Sequence, residues 1–65
     1  MNNEMVIIIE LNDDKRSIMK IRNVIQYDYD DRFIRIKYRN HEATNIKWVS
    51  LSYIRMLQIF EEANI

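Results

Sequence analysis

The chain has no cysteine, no glycine, no proline and a single histidine in its 65 residues. Without cysteine there can be no disulfide, so the chain is indifferent to redox compartment and the reading leans towards a reducing cytoplasm. With His41 as the only imidazole, the nitrogen and sulfur ligand sets of zinc and iron sites cannot be assembled. The lack of glycine removes the phosphate-cradling loops of nucleotide and dinucleotide sites, where only glycine lets the backbone approach the phosphate. Nucleotide-hydrolysing and nicotinamide-dependent activities go with them, and no cofactor is expected.

Turns must then be made by residues other than glycine and proline. Asn12-Asp13-Asp14, Asp30-Asp31-Arg32, Asn40-His41-Glu42 and Asn45 are the candidates. Asn and Asp tolerate positive φ and hydrogen-bond to their own backbone.

Excess charge of either sign is also missing. Ten basic and ten acidic side chains give zero net charge, which removes the whole-molecule attraction that most nucleic-acid binders use and argues equally against an acidic DNA mimic. The longest apolar run, Met5 to Ile9, stops at Glu10. It is far short of the roughly 20 residues needed to cross a bilayer. It is also too short for a secretory core, and no basic segment precedes it. A soluble cytoplasmic protein with no membrane partner is the expectation.

What is present is β pattern. In Tyr27 to Arg39, two alternating runs meet at an acidic turn. Ile25, Tyr27 and Tyr29 alternate with Gln26, Asp28 and Asp30; then Ile34, Ile36 and Tyr38 alternate with Arg35, Lys37 and Arg39. A strand turns over every second residue, so each run carries one apolar and one polar face, which reads as a β-hairpin. Met5 to Leu11 is rich in β-branched residues with apolar side chains on both parities, as a strand covered on both faces requires. Ile18 to Tyr29 reads as a long strand whose parity slips between Ile21 and Ile25, which a bulge near Asn23 reconciles by bending the sheet. Further strands are expected at Phe33 to Arg39 and about Thr44 to Leu51, with Ile46 and Trp48 opposed to Lys47 and Val49.

The C-terminal segment, Ser50 to Ile65, is ambiguous. A helix would place Tyr53, Leu57 and Phe60 along one side. It would also put Arg55 in the first turn and Glu61 and Glu62 in the last, against the helix dipole. The preferred alternative is a short turn at Ser52 to Ile54 followed by a strand, with Leu57 and Ile59 facing the core. The expected fold is therefore all-β, or β-rich with a short C-terminal helix, as one domain over residues 1–65. Its architecture is a small, strongly bent antiparallel sheet or open barrel of four or five strands. The strand, corner and strand of Trp48 to Phe60 resembles small barrels of the SH3-like and Sm-like kind. The glycines and the aspartate-asparagine motifs of those families are absent, and no site is carried over from them.

Catalytic constellations are scarce. Asp13-Asp14 and Asp30-Asp31 are paired carboxylates, but both pairs fall in expected turns beside Lys15-Arg16 and Arg32, where solvated turn residues are the simpler reading. No serine has a histidine and acid to activate it, since His41 lies alone in a turn. A non-enzymatic protein is expected.

Two surface features remain. Arg32, Arg35, Lys37, Arg39 and Lys47 form a basic stripe that could contact single-stranded nucleic acid. Tyr38 has the opposite parity, however, and Gln26, Asp28 and Asp30 lie across the hairpin to pair with the cations. Most aromatics, including Tyr27, Tyr38, Trp48 and Phe60, are expected in the core. Tyr29, Phe33 and Tyr53 are expected at the surface, where aromatics beside arginine serve as interface anchors. The candidate partner-binding residues are thus Tyr29, Arg32, Phe33, Arg35, Lys37, Arg39 and Tyr53.

A domain this size buries only about 60% of the surface its unfolded chain exposes, and small folds commonly compensate by association. With 48% apolar residues and neither disulfide nor metal expected, the functional expectation is an interaction module that binds a protein and self-associates. Twelve isoleucines and seven asparagines suggest an AT-rich coding sequence, such as that of a low-GC bacterium or its phage. A phage-type or regulatory inhibitor or adaptor fits that composition. The alternative is a nucleic-acid-binding accessory protein using the basic stripe.

Overall fold

The structure is a computed structural model that describes residues 2–64. Six strands follow one another: β1 (Asn2–Leu11), β2 (Ile18–Ile21), β3 (Val24–Tyr29), β4 (Phe33–Asn40), β5 (Ala43–Ser50) and β6 (Ile54–Asn64). A single 3-10 turn, Leu51–Tyr53, joins the last two. They form two three-stranded antiparallel sheets, ordered β2-β1-β6 and β3-β4-β5. The expected all-β class holds. The C-terminal segment is the corner and strand rather than the helix.

The bend expected near Asn23 is a break that divides the Ile18 to Tyr29 segment into β2 and β3. Asn23 takes φ 55° there, and the chain passes from one sheet to the other. A second irregularity, between Val24 and Gln26 in the pairing of β3 with β4, absorbs the rest of the parity slip. Arg16 and His41 occupy the other left-handed positions, so in this glycine-free chain Asn, Arg and His carry the positive φ values. The turn before Ser17 is held by Asp13, which accepts the Ser17 N–H at 2.9 Å and its hydroxyl at 2.8 Å. Asp30 closes the next turn, its Oδ1 accepting the N–H groups of Arg32 and Phe33 at 2.7 and 2.8 Å. Asn45, expected in a turn, lies within β5 opposite Tyr38.

The core lies between the sheets and consists of Ile7, Ile9, Ile21, Val24, Ile34, Ile36 and Val49. These are the inward positions of β1 to β5, and Tyr27 and Tyr38 pack against them half-buried. β1 is the centre of its sheet and is covered on both faces, with Ile7 and Ile9 buried on one side and Val6 on the other. β6 contributes little: only Ile54 packs against the cluster, while Leu57, Ile59 and Phe60 remain more than a third exposed. The sequence expectation that Leu57 and Ile59 face the core, and that Phe60 belongs to it, is corrected accordingly. Leu57 and Ile59 have core-facing parity, being paired with Ile9 and Ile7, but they lie on an edge strand whose one neighbour in the sheet is β1 and remain open to water.

Candidate functional site: an aromatic and cationic sheet face

The outward face of the β3-β4-β5 sheet follows from its register. Arg35 is flanked by Asp28 on β3 and Trp48 on β5, and Lys37 by Gln26 and Ile46. Antiparallel partners share a face. Polarity therefore changes across the sheet, from carboxylate and amide on β3, through cations on β4, to apolar and aromatic side chains on β5.

Arg35 organises this face. Its Nε donates to Asp28 at 2.7 Å and its Nη1 to Asp30 at 2.9 Å. The guanidinium carbon stands 5.2 Å from the centroid of the Trp48 ring, within cation–π range. Two carboxylates thus fix the cation and the cation supports the indole. These hydrogen bonds hold the Arg35 pKa above its ordinary value. Asp30 is held well below the usual carboxylate range, chiefly by the N–H groups of Phe33 and Arg32 and then by Arg35.

Trp48 is 59% exposed and Ile46 62%. Phe33 meets Trp48 edge-on, with centroids 5.7 Å apart and planes at 63°. Around the sheet end, Leu11, Met19, Phe33, Trp48 and Tyr53 line one shallow depression.

Of the candidate residues named from sequence, the structure gathers Phe33, Arg35, Lys37 and Arg39 on one face of β4, with Tyr53 at the adjoining corner. Arg32 is exposed in the preceding turn. Tyr29 is 70% exposed, but its register opposite Ile34 puts it on the other face. Lys47 pairs with Ile36 and likewise faces away from Arg35.

Trp48 and Ile46 are the residues missed. Alternation opposes both to Val49, but in a chain of 65 residues most aromatics, Trp48 among them, are expected in the core. The available signal was Val49 itself: if Val49 points inward, Trp48 points out. Tyr38 has the opposite parity to Arg35 and Lys37, as expected, but Trp48 shares their face. Among the described residues no group of His, Cys, Asp or Glu is placed to hold a metal ion, and no helix is long and apolar enough to cross a membrane. Comparison with protein-family models, curated proteins and solved structures finds no match.

Proposed function

We propose that the chain is a non-enzymatic interaction module that recognises a protein partner through the outward face of β3-β4-β5 and also self-associates. The observation that carries this reading is Trp48, left in water beside Ile46 and Phe33 and steadied by Arg35. A rigid tryptophan next to a pre-ordered arginine combines the two residue types that most often dominate binding energy at protein interfaces. Because Asp28 and Asp30 already fix the guanidinium, little side-chain entropy remains to be lost when it is covered.

Charge argues for a protein rather than a polyanion. The most central cation carries two carboxylates, which would repel phosphate at the position where a strand would lie. The favoured partner presents an apolar pocket or patch for Trp48 and Ile46, rimmed by polar groups that match Lys37 and the turn acids. An inhibitor or adaptor, phage-encoded or regulatory, would act by occupying such a patch on its target. The test is capture of the partner by the wild-type chain and its loss in Trp48→Ala.

A second reading, nucleic-acid contact, is favoured by one observation: Trp48 shares its face with Lys37 and Arg39. It predicts retardation of labelled single-stranded DNA or RNA that weakens steeply as salt rises. Absence of retardation at low salt removes it.

A further inference from the structure

β6 is an edge strand that packs substantially only against β1. Its outward hydrogen-bonding groups can be identified. Leu11 donates its N–H to Ser17 on the β2 side, and Asn12 donates to Tyr53 on the other. Odd residues of β1 therefore address β2 and even residues address β6. Since Ile8 pairs with Gln58 and Val6 with Phe60, the peptide groups of Gln58 and Phe60 turn towards β1. Those of Leu57, Ile59 and Glu61 turn to the free edge.

Edge strands in native proteins are usually short, bulged or charged along their length. β2 has four residues, and β3 is bulged and carries Asp28. β6 has eleven residues, and from Met56 to Phe60 it bears no charge. Both of its faces carry half-covered apolar side chains: Leu57 and Ile59 on one, and Met56 and Phe60 either side of Gln58 on the other.

The sequence of this edge is self-complementary. Turned antiparallel upon itself about Gln58, Leu57 meets Ile59, Met56 meets Phe60, and Arg55 meets Glu61. A parallel arrangement would instead set Glu61-Glu62 beside Glu61-Glu62. The odd residues whose peptide groups face outward pair with one another in this register, as ladder hydrogen bonding requires. Arg55 is the extra residue at the irregularity beside Glu10 and Leu11 and bonds Glu10 at 3.1 Å. It sits at the end of the apolar stretch, where the partner's Glu61 would arrive.

We infer that β6 pairs antiparallel with β6 of a second copy about a two-fold axis at Gln58, giving a continuous sheet ordered β2-β1-β6-β6-β1-β2. The inference rests on the self-association in the function proposed above and names its surface. It leaves the Trp48 face free on each copy, on the other sheet, so the dimer presents two identical recognition faces.

Two measurements on the full chain test it. Sedimentation velocity from low micromolar to the highest soluble concentration is expected to show a monomer–dimer equilibrium. In the dimer, hydrogen exchange is expected to slow at the Leu57 and Ile59 amides and to recover on dilution. Arg55→Glu and Glu61→Arg each set like charges opposite one another and are expected to remain monomeric where wild type dimerises. Mixed together, they are expected to form a one-to-one heterodimer. A dimer whose Leu57 and Ile59 amides exchange freely, or one indifferent to both charge variants, overturns the β6 pairing while leaving self-association intact. A monomer at every concentration overturns both. Exchange is read on the unaltered protein, so the test survives if Arg55→Glu, which loses its bond to Glu10, fails to fold.

Discussion

The carboxylate of Glu4 is buried and accepts Arg22 Nε at 2.9 Å, and the same oxygen accepts the N–H of Asn23 at 3.1 Å. Arg22 reaches on to Glu62 at 3.9 Å, so the break that follows β2 is tied to both β1 and β6. Asn23 meanwhile accepts the N–H of Arg39 from β4 at 3.0 Å. The point where the chain crosses between sheets is fastened from both sides. Replacing Glu4 by Gln is expected to lower the thermal midpoint more than Asp14→Asn in an exposed turn, because it leaves Arg22 without its closest counter-charge. Circular dichroism melts of the two variants check this.

Asn23 itself is a conformational requirement. At φ 55° a side chain with a Cβ is crowded, and Asn bears this better than most residues. Asn23→Val is expected to destabilise by about 1–2 kcal/mol or more, whereas Asn23→Gly is expected to stay near wild type. Urea titrations of both variants compare the two values directly.

Acid should destabilise the protein in a defined way. Glu4 is held below its ordinary 4.5 by Arg22 and the Asn23 N–H, Asp13 below 3.8 by the Ser17 N–H and hydroxyl, and Asp30 below 3.8 by the Phe33 and Arg32 N–H groups and Arg35. Depressed folded values mean the unfolded chain takes up protons first. The stabilisation is complete above the ordinary values and is lost as pH falls from there through the folded ones. Thermal midpoints are expected to be flat near neutrality and to fall below about pH 5. In Asp30→Asn, which keeps an acceptor oxygen for the turn, the slope should be shallower.

Alternation within β4 and β5 predicts opposite outcomes for two isoleucines. Ile36 is fully buried, and its truncation to alanine is expected to cost about 2–5 kcal/mol. Ile46 is mostly exposed, and Ile46→Ala should change stability by no more than about 0.5 kcal/mol while weakening partner binding. Denaturant midpoints and a binding assay separate the two effects.

Much of the fold was legible because period-2 alternation is a local property. The hairpin register, with Tyr27 opposite Ile36 and Asp28 opposite Arg35, follows from the parities of Tyr27 to Arg39 and the Asp30 turn. The strand at β6 was legible from the charges that oppose a helix dipole. Which face of a strand meets water was less so, because that depends on what lies across the sheet. Trp48 looked like core and is not, since Val49 fills the inward position beside Ile34. Phe60 and Leu57 looked like core and are half-exposed, because only β1 lies beside them. The division of Ile18 to Tyr29 showed in sequence as a parity slip, and a bulge and a break leave the same mark.

The chain's single tryptophan makes the recognition face directly observable. Trp48 fluorescence is expected to be readily quenched by acrylamide in the folded protein and to remain so in a β6-paired dimer. Protection from quenching should appear only when a partner covers the face.

The most direct test of the central claim is capture from lysate, with and without nuclease, by wild type, Trp48→Ala and the turn variant Asp14→Asn, with each bait first shown to be folded. The account predicts that wild type and Asp14→Asn retain one defined protein that Trp48→Ala loses. Equal retention by all three, or capture abolished by nuclease, would contradict it.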